Sequence, residues 1–432
     1  MQKTLSNLSL LLLFSIVAFA TLAKGGNSVW ARELIIIAVM LVFLLQPWKT
    51  LELKPALPWL LPWLVITVFI GLQLLGSVAG LGFKTWMPLQ TIAYWAIFSA
   101  YWALAWLVSG LSMTDSRRLV AVLVALACFQ AMYGLVAFIG GQETILGLWE
   151  RANPRDAGGS FVNRNHFAGY LALLWGIGLS YFFSYHNKAG FRSAITLRVG
   201  LAIIFSVVMI IAILGSHSRL GMIAGLLSVA LWIFLYFTRG HAVSKWSKLI
   251  LTGLVLAVLF GMVWFGMGKL ILRFAELGNN ERSLVWDAML SLSLNDWLFG
   301  VGAGSFEDFF RTISPLHIQG DLVYREAHND WLEFALDFGL IGTAFIVTAL
   351  IFWFTKMRPA QWSLIQYGAL CGIVAIAVHS LGDFNLQIPG VAVTFWAVVG
   401  ILMNPNISQD AVSQQRRTRK WIPDQAGNDM SY

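Results

Sequence analysis

The chain has 432 residues, of which 58% are hydrophobic and only 12% charged. Soluble domains average about 25% charge, and here the apolar residues run in long blocks, which excludes soluble domains, disorder, coiled coil and a disulfide scaffold. The formal charge of +8 is scattered singly between the blocks with no basic face, so membrane lipids, not nucleic acid, are the expected surroundings.

A helix needs about 20 apolar residues to cross a bilayer. Twelve blocks are candidates: 8–23, 33–46, 58–78, 88–108, 119–140, 166–186, 196–216, 219–237, 248–268, 331–355, 363–383 and 389–403. The second and last are short. The first has a small-residue site, Ala18-Phe19-Ala20, as a signal peptide would, but the eleven blocks behind it favour a retained helix. With the N-terminus in the cytoplasm, seventeen of the twenty-nine Lys and Arg fall inside and sixteen of the twenty-one acids outside. Short outer loops are then poor in basic residues, as the positive-inside rule requires. The expected fold is an all-α polytopic membrane bundle of about twelve transmembrane helices. Residues 1–268 hold spans one to nine, with 141–165 as an outer segment. Residues 269–330 form one large outer loop containing short helices, 331–404 hold spans ten to twelve, and 405–432 form a polar cytoplasmic tail. Cys128 and Cys371 sit inside apolar runs and suggest no redox role.

The middles of the spans are almost free of charge, and the polar groups gather at the outer ends. Ionisable groups at a membrane edge are costly and are functional candidates. Asn163, Arg164, Asn165 and His166 lead into the sixth span and could bind an anion or a sugar; a polar helix start is the plainer reading. Arg219, in the turn Ser216-His217-Ser218-Arg219, is pinned at the outer edge with no acid beside it in sequence. Its fork suits phosphate; snorkelling to lipid headgroups is the alternative. Further on, Asn280 reads as the N-cap of a short amphipathic helix with Val285, Trp286, Met289 and Leu290 on its apolar face. Arg282 then lies in the first turn, where a helix N-terminus favours phosphate, or pairs with Glu281 or Asp287. The glycines of Gly300-Val301-Gly302-Ala303-Gly304 allow close approach to a ligand or simply form a turn.

Beyond them, Glu326, Asp330, Glu333 and Asp337 make an acidic stripe if helical, able to pair with outer arginines or hold sugar hydroxyls. His328 points away from that stripe unless it lies in the loop before the helix. A His near a hydroxyl is a natural general base. His379 and Asp383, four residues apart, form a supporting polar pair at the end of the eleventh span. No metal-ligand spacing, nucleotide motif or cofactor signature is present, so neither a metal nor a cofactor is expected.

The segments Asn163–Gly169, Ser218–Gly221, Gly300–Phe306 and Ala327–Leu332, supported by His379–Pro389, resemble the O-antigen ligase and polymerase superfamily over roughly residues 60–400. The resemblance implies a GT-C type glycosyltransferase of the bacterial inner membrane, multi-pass and with its active site facing the periplasm. It implies an undecaprenyl-diphosphate-linked glycan as donor and lipid A core or a growing glycan as acceptor. Arg219 and Arg282 match positions that hold the diphosphate, and His328 the position that activates the acceptor, so these three are the expected catalytic residues. Asn163, Arg164, His166, Asp330 and Glu333 are expected to bind substrate, with His379 and Asp383 behind them. A ligase is the first expectation, a repeat-unit polymerase the second and protein glycosylation the third. A transporter or flippase also fits twelve spans, but transporters tend to show repeats and midplane binding groups.

Overall fold

The computed structural model describes residues 7–45, 53–80, 82–184, 191–238, 281–313, 325–355 and 362–407. It is built almost wholly of helices: α1 (Asn7–Leu22), α2 (Val29–Leu44), α3 (Leu53–Ala79), α4 (Pro88–Ser109), α5 (Met113–Ile139), α6 (Arg164–Ser184), α7 (Phe191–Gly215) and α8 (Arg219–Thr238). These are followed by α9 (Glu281–Leu290), α10 (Leu294–Phe299), α11 (Phe306–Ile313), α12 (Asp330–Thr355), α13 (Leu364–His379) and α14 (Pro389–Leu402). Among the described residues the sole sheet is a hairpin, β1 (Thr144–Ile145) antiparallel to β2 (Trp149–Glu150).

Eleven of the twelve expected blocks are helical; the ninth, 248–268, lies outside the described residues, as does the tail from 408. Among the described residues seven helices are long and apolar enough to cross a membrane, and α1, α13 and α14 are shorter apolar helices. This is the make-up of a polytopic helical membrane protein. Its helix starts follow local chemistry: Ser112 accepts from the Asp115 N–H, and Ser363 forms a reciprocal capping box with Gln366. Pro88 and Pro389 open α4 and α14, where a missing N–H costs nothing.

The centre of the bundle is α6, buried along most of its length and packed most extensively on α13, with α8, α7 and α5 around it. Small residues permit that approach. A Cβ at Gly368 would meet the Gly176 backbone, and one at Gly372 the Leu173 carbonyl. Close packing of this kind joins helices where water supplies no driving force.

The connections sort to two ends. At one, Asn404 donates to the carbonyls of Val108 and Leu111, and Gln366 to that of Leu402. At the other, the richer in loops, Trp86 N–H donates to Val301 O, Ala157 N–H to Gly215 O and Asp330 N–H to Ser380 O. Gly339 breaks the helical path of α12 with φ 69° and ψ 164°. The carbonyls freed there are taken up: Val301 N–H donates to Leu336 O, and both Gly302 N–H and Gln73 Nε2 donate to Asp337 O.

Candidate functional site

The loop-rich end is knit together by residues 380–388, between α13 and α14. Their first anchor is Asp330, at the start of α12. Its carboxylate accepts from Ser380 Oγ at 2.6 Å and from Leu386 N–H at 3.2 Å, while its own N–H donates to the Ser380 and Asp383 carbonyls. Glu333, one turn on, accepts from Ala327 N–H at 2.6 Å and Gln387 Nε2 at 2.8 Å. Asp337 accepts from Gly304 N–H at 3.0 Å. The expected acidic stripe is therefore shorter than the spacing predicted. Helix α12 begins at Asp330, so Glu326 lies in the preceding loop, and the described bonds of Asp330, Glu333 and Asp337 hold loops rather than arginines.

His328 also lies in that loop, in the left-handed region with φ 53°. Its ring stands edge-on to Phe384, centroids 4.9 Å apart, and His166 meets the same phenyl ring at 4.7 Å. His166 is buried, with Nε2 3.6 Å from Asp383 Oδ1. The helical i, i+4 spacing expected of His379 and Asp383 is not formed. Helix α13 ends at His379, so Asp383 is off the helix and faces His166, while His379 bonds Asn385.

Arg219 is the first residue of α8 and is exposed, with no ion-pair partner among the described residues. Its neighbour Leu220 lies against Gly382, in the same loop that carries Phe384. Arg219 and His328 thus flank one loop at one end of the bundle. The Arg282 side chain lies outside the described set. Position 282, in the first turn of α9, is four residues before Trp286, whose Nε1 donates to Ala327 O, next to His328, at 2.8 Å. The amphipathic face of α9 is partly as expected: Val285 and Met289 are buried, whereas Leu290 is exposed. Asn280, its expected cap, lies outside the described residues.

Arg164 opens α6, half-exposed, with Nη1 2.6 Å from Asp156 Oδ2. The other oxygen of Asp156 meets His217 Nδ1 at 2.8 Å, and Asn153 donates to Oδ2 at 2.6 Å. Asp156 is buried and ties the segment before α6 to the turn before Arg219. Sequence reasoning passed over it. The signal was there, since it is the sole acid in 151–165. Phe384 and His217 were also given no role, and a lone phenyl ring between Asp383 and Asn385 carries no such signal. The glycines at 300–304 serve packing: Cβ atoms at Gly300 and Gly302 would strike the α12 backbone and Thr85. Among the described residues no group of three His, Cys, Asp or Glu is arranged to hold a metal.

Residues 204–347 match the family model described as O-antigen ligase. The match supports the O-antigen ligase superfamily, the one the sequence motifs resemble. It contains Arg219, Arg282, His328, Asp330 and Glu333; Asn163, Arg164, His166, His379 and Asp383 lie outside the matched stretch. No curated protein sequence matches the chain. The family match supports a glycosyltransferase-like enzyme of the ligase or polymerase type, with lipid-linked glycans as its substrate class.

Proposed function

We propose that the protein is an O-antigen ligase-type glycosyltransferase of the bacterial inner membrane, GT-C in architecture, acting on its periplasmic face. It moves a glycan from undecaprenyl diphosphate to a sugar hydroxyl of lipid A core, with inversion and without a metal. The observation that carries this reading is the meeting of His328 and the Arg219 turn on one loop, residues 380–388, at the loop-rich end of a bundle of membrane-length helices.

In this reading the donor's polyprenyl tail lies between helices and its diphosphate rests against Arg219 and Arg282. The acceptor oxygen attacks the anomeric carbon in line as the bond to the diphosphate breaks. His328 takes the hydroxyl proton, and undecaprenyl diphosphate leaves with the bonding electrons. Fixed guanidinium groups stabilise the charge that builds on the leaving group. Asp330 and Glu333 serve by holding the His328 loop, and His379 and Asp383 by supporting α6.

Purified protein is tested with an undecaprenyl-diphosphate-linked glycan and lipid A core. Arg219→Ala, Arg282→Ala and His328→Ala should each lower transfer by about 10²–10³ while the variants still insert. Full activity in all three removes the assignment. A deletion strain separates the activities: core lacking O-chains identifies a ligase, and core bearing one repeat unit identifies a polymerase.

A further inference from the structure

Beside Arg164 lies a half-open cavity of about 370 Å³, formed by residues 151–164 and lined by Arg151, Asn153, Asp156, Phe161, Asn163 and Arg164 among others. Its charge and its hydrogen-bonding capacity are both one-sided. Two guanidinium groups line it with one carboxylate, and both oxygens of that carboxylate are engaged: Oδ2 by Asn153 and Arg164, Oδ1 by His217. Asn163 Oδ1 is taken by Asn165 N–H and Asn153 Oδ1 by Arg155 N–H. Arg151 is held in place by Thr144 O and Gly159 O and by the Tyr133 ring beneath it. The side chains thus leave unused donors on Arg164 and the Asn163 amide, while every side-chain acceptor oxygen named already takes at least one bond.

A donor-rich wall with one net positive charge selects an acceptor-rich anion. The volume exceeds what an inorganic anion fills and lies within the usual range of small-molecule sites. Ala152, Gly158, Phe161 and Val162 add apolar surface to the same lining, which suits the C–H face of a pyranose ring. We infer that this cavity is a subsite for one anionic sugar residue, a pyranose bearing a carboxylate or phosphate, in a glycan handled by the protein. The inference rests on the glycosyl-transfer reading for its biological source and on the cavity for its chemistry. Asp156 bonds Arg164 and His217 together, so the subsite is built onto the turn that carries Arg219.

Binding to purified protein in detergent is measured by saturation-transfer NMR with glucuronate, glucose and inorganic phosphate, and with phosphatidylglycerol as competitor. Glucuronate should bind at least about tenfold more tightly than glucose. Arg164→Ala should abolish that preference. Asn163→Asp keeps the acceptor for Asn165 N–H and leaves the Asp156 bonds intact, so the fold is preserved; it should repel glucuronate and spare glucose. Equal binding of glucose, glucuronate binding unchanged in Asn163→Asp, or displacement of glucuronate by phosphatidylglycerol at equal concentration would each overturn the subsite, the last assigning the cavity to lipid headgroups. Transfer is assayed in parallel. Wild-type transfer without these binding effects sinks the subsite alone, and the binding effects without wild-type transfer sink the glycosyl-transfer reading alone.

Discussion

His328 occupies a backbone region that an L-residue enters at a cost of about 1–3 kcal/mol, and His217 does the same at φ 54°. Strain of this kind persists only where neighbours fix it. Here the Phe384 ring flanks His328, and Asp156 holds His217. Glu326 lies two residues before His328. Burial pushes its carboxyl from the ordinary 4.5 up to about 7, with Arg325 opposing and Glu307 and Asp383 adding to the rise. The folded value lies above the unfolded one, so the stability contributed by the protonated form is complete below about pH 4.5 and is lost as pH rises through about 7. Thermal melting of purified protein should therefore give a higher midpoint at pH 5 than at pH 8, and Glu326→Gln should narrow the gap. An unchanged gap in that variant removes Glu326 as its source.

Helix α6 and helix α13 approach closely enough that a single methyl group is a test of their contact. Gly372→Ala sets a Cβ against the Leu173 carbonyl, and overpacking of this kind typically costs about 1–3 kcal/mol. Gly71→Ala and Gly200→Ala, on α3 and α7, have open space within 4 Å and should be neutral or mildly stabilising. Equal melting temperatures for all three variants would mean that the α6–α13 contact tolerates spreading. Helix existence was legible from hydropathy, because long apolar blocks have few other folded outcomes in a membrane. Helix ends were less so. Apolarity carries the eleventh span to residue 383, yet α13 stops at His379. The reason is remote in sequence: the Ser380 and Asp383 carbonyls are taken by the Asp330 N–H. For the same reason the bonds that Asp330, Glu333 and Asp337 make to loops could not be read from spacing, because only tertiary contact brings those loops near. Arg219, Arg164 and His328 stood out as candidates because charge at a membrane edge contrasts with apolar neighbours.

Across the whole molecule, every connection described at the loop-rich end should face one compartment. Leu148, in the hairpin, is exposed at that end, and Pro405 is exposed at the opposite one. A membrane-impermeant maleimide should label Leu148→Cys in intact spheroplasts and Pro405→Cys only after permeabilisation, in a background lacking Cys128 and Cys371. Labelling of both without permeabilisation removes the two-sided topology. At the loop-rich end, a single phenyl group from 380–388 buttresses two imidazoles far apart in the chain, His166 on α6 and His328 in the loop before α12. The two imidazoles share that ring as a neighbour. Any bulky molecule that wedges Phe384 aside therefore disturbs His166 and His328 in one stroke, so occupancy of this end and the aim of its candidate base are mechanically linked.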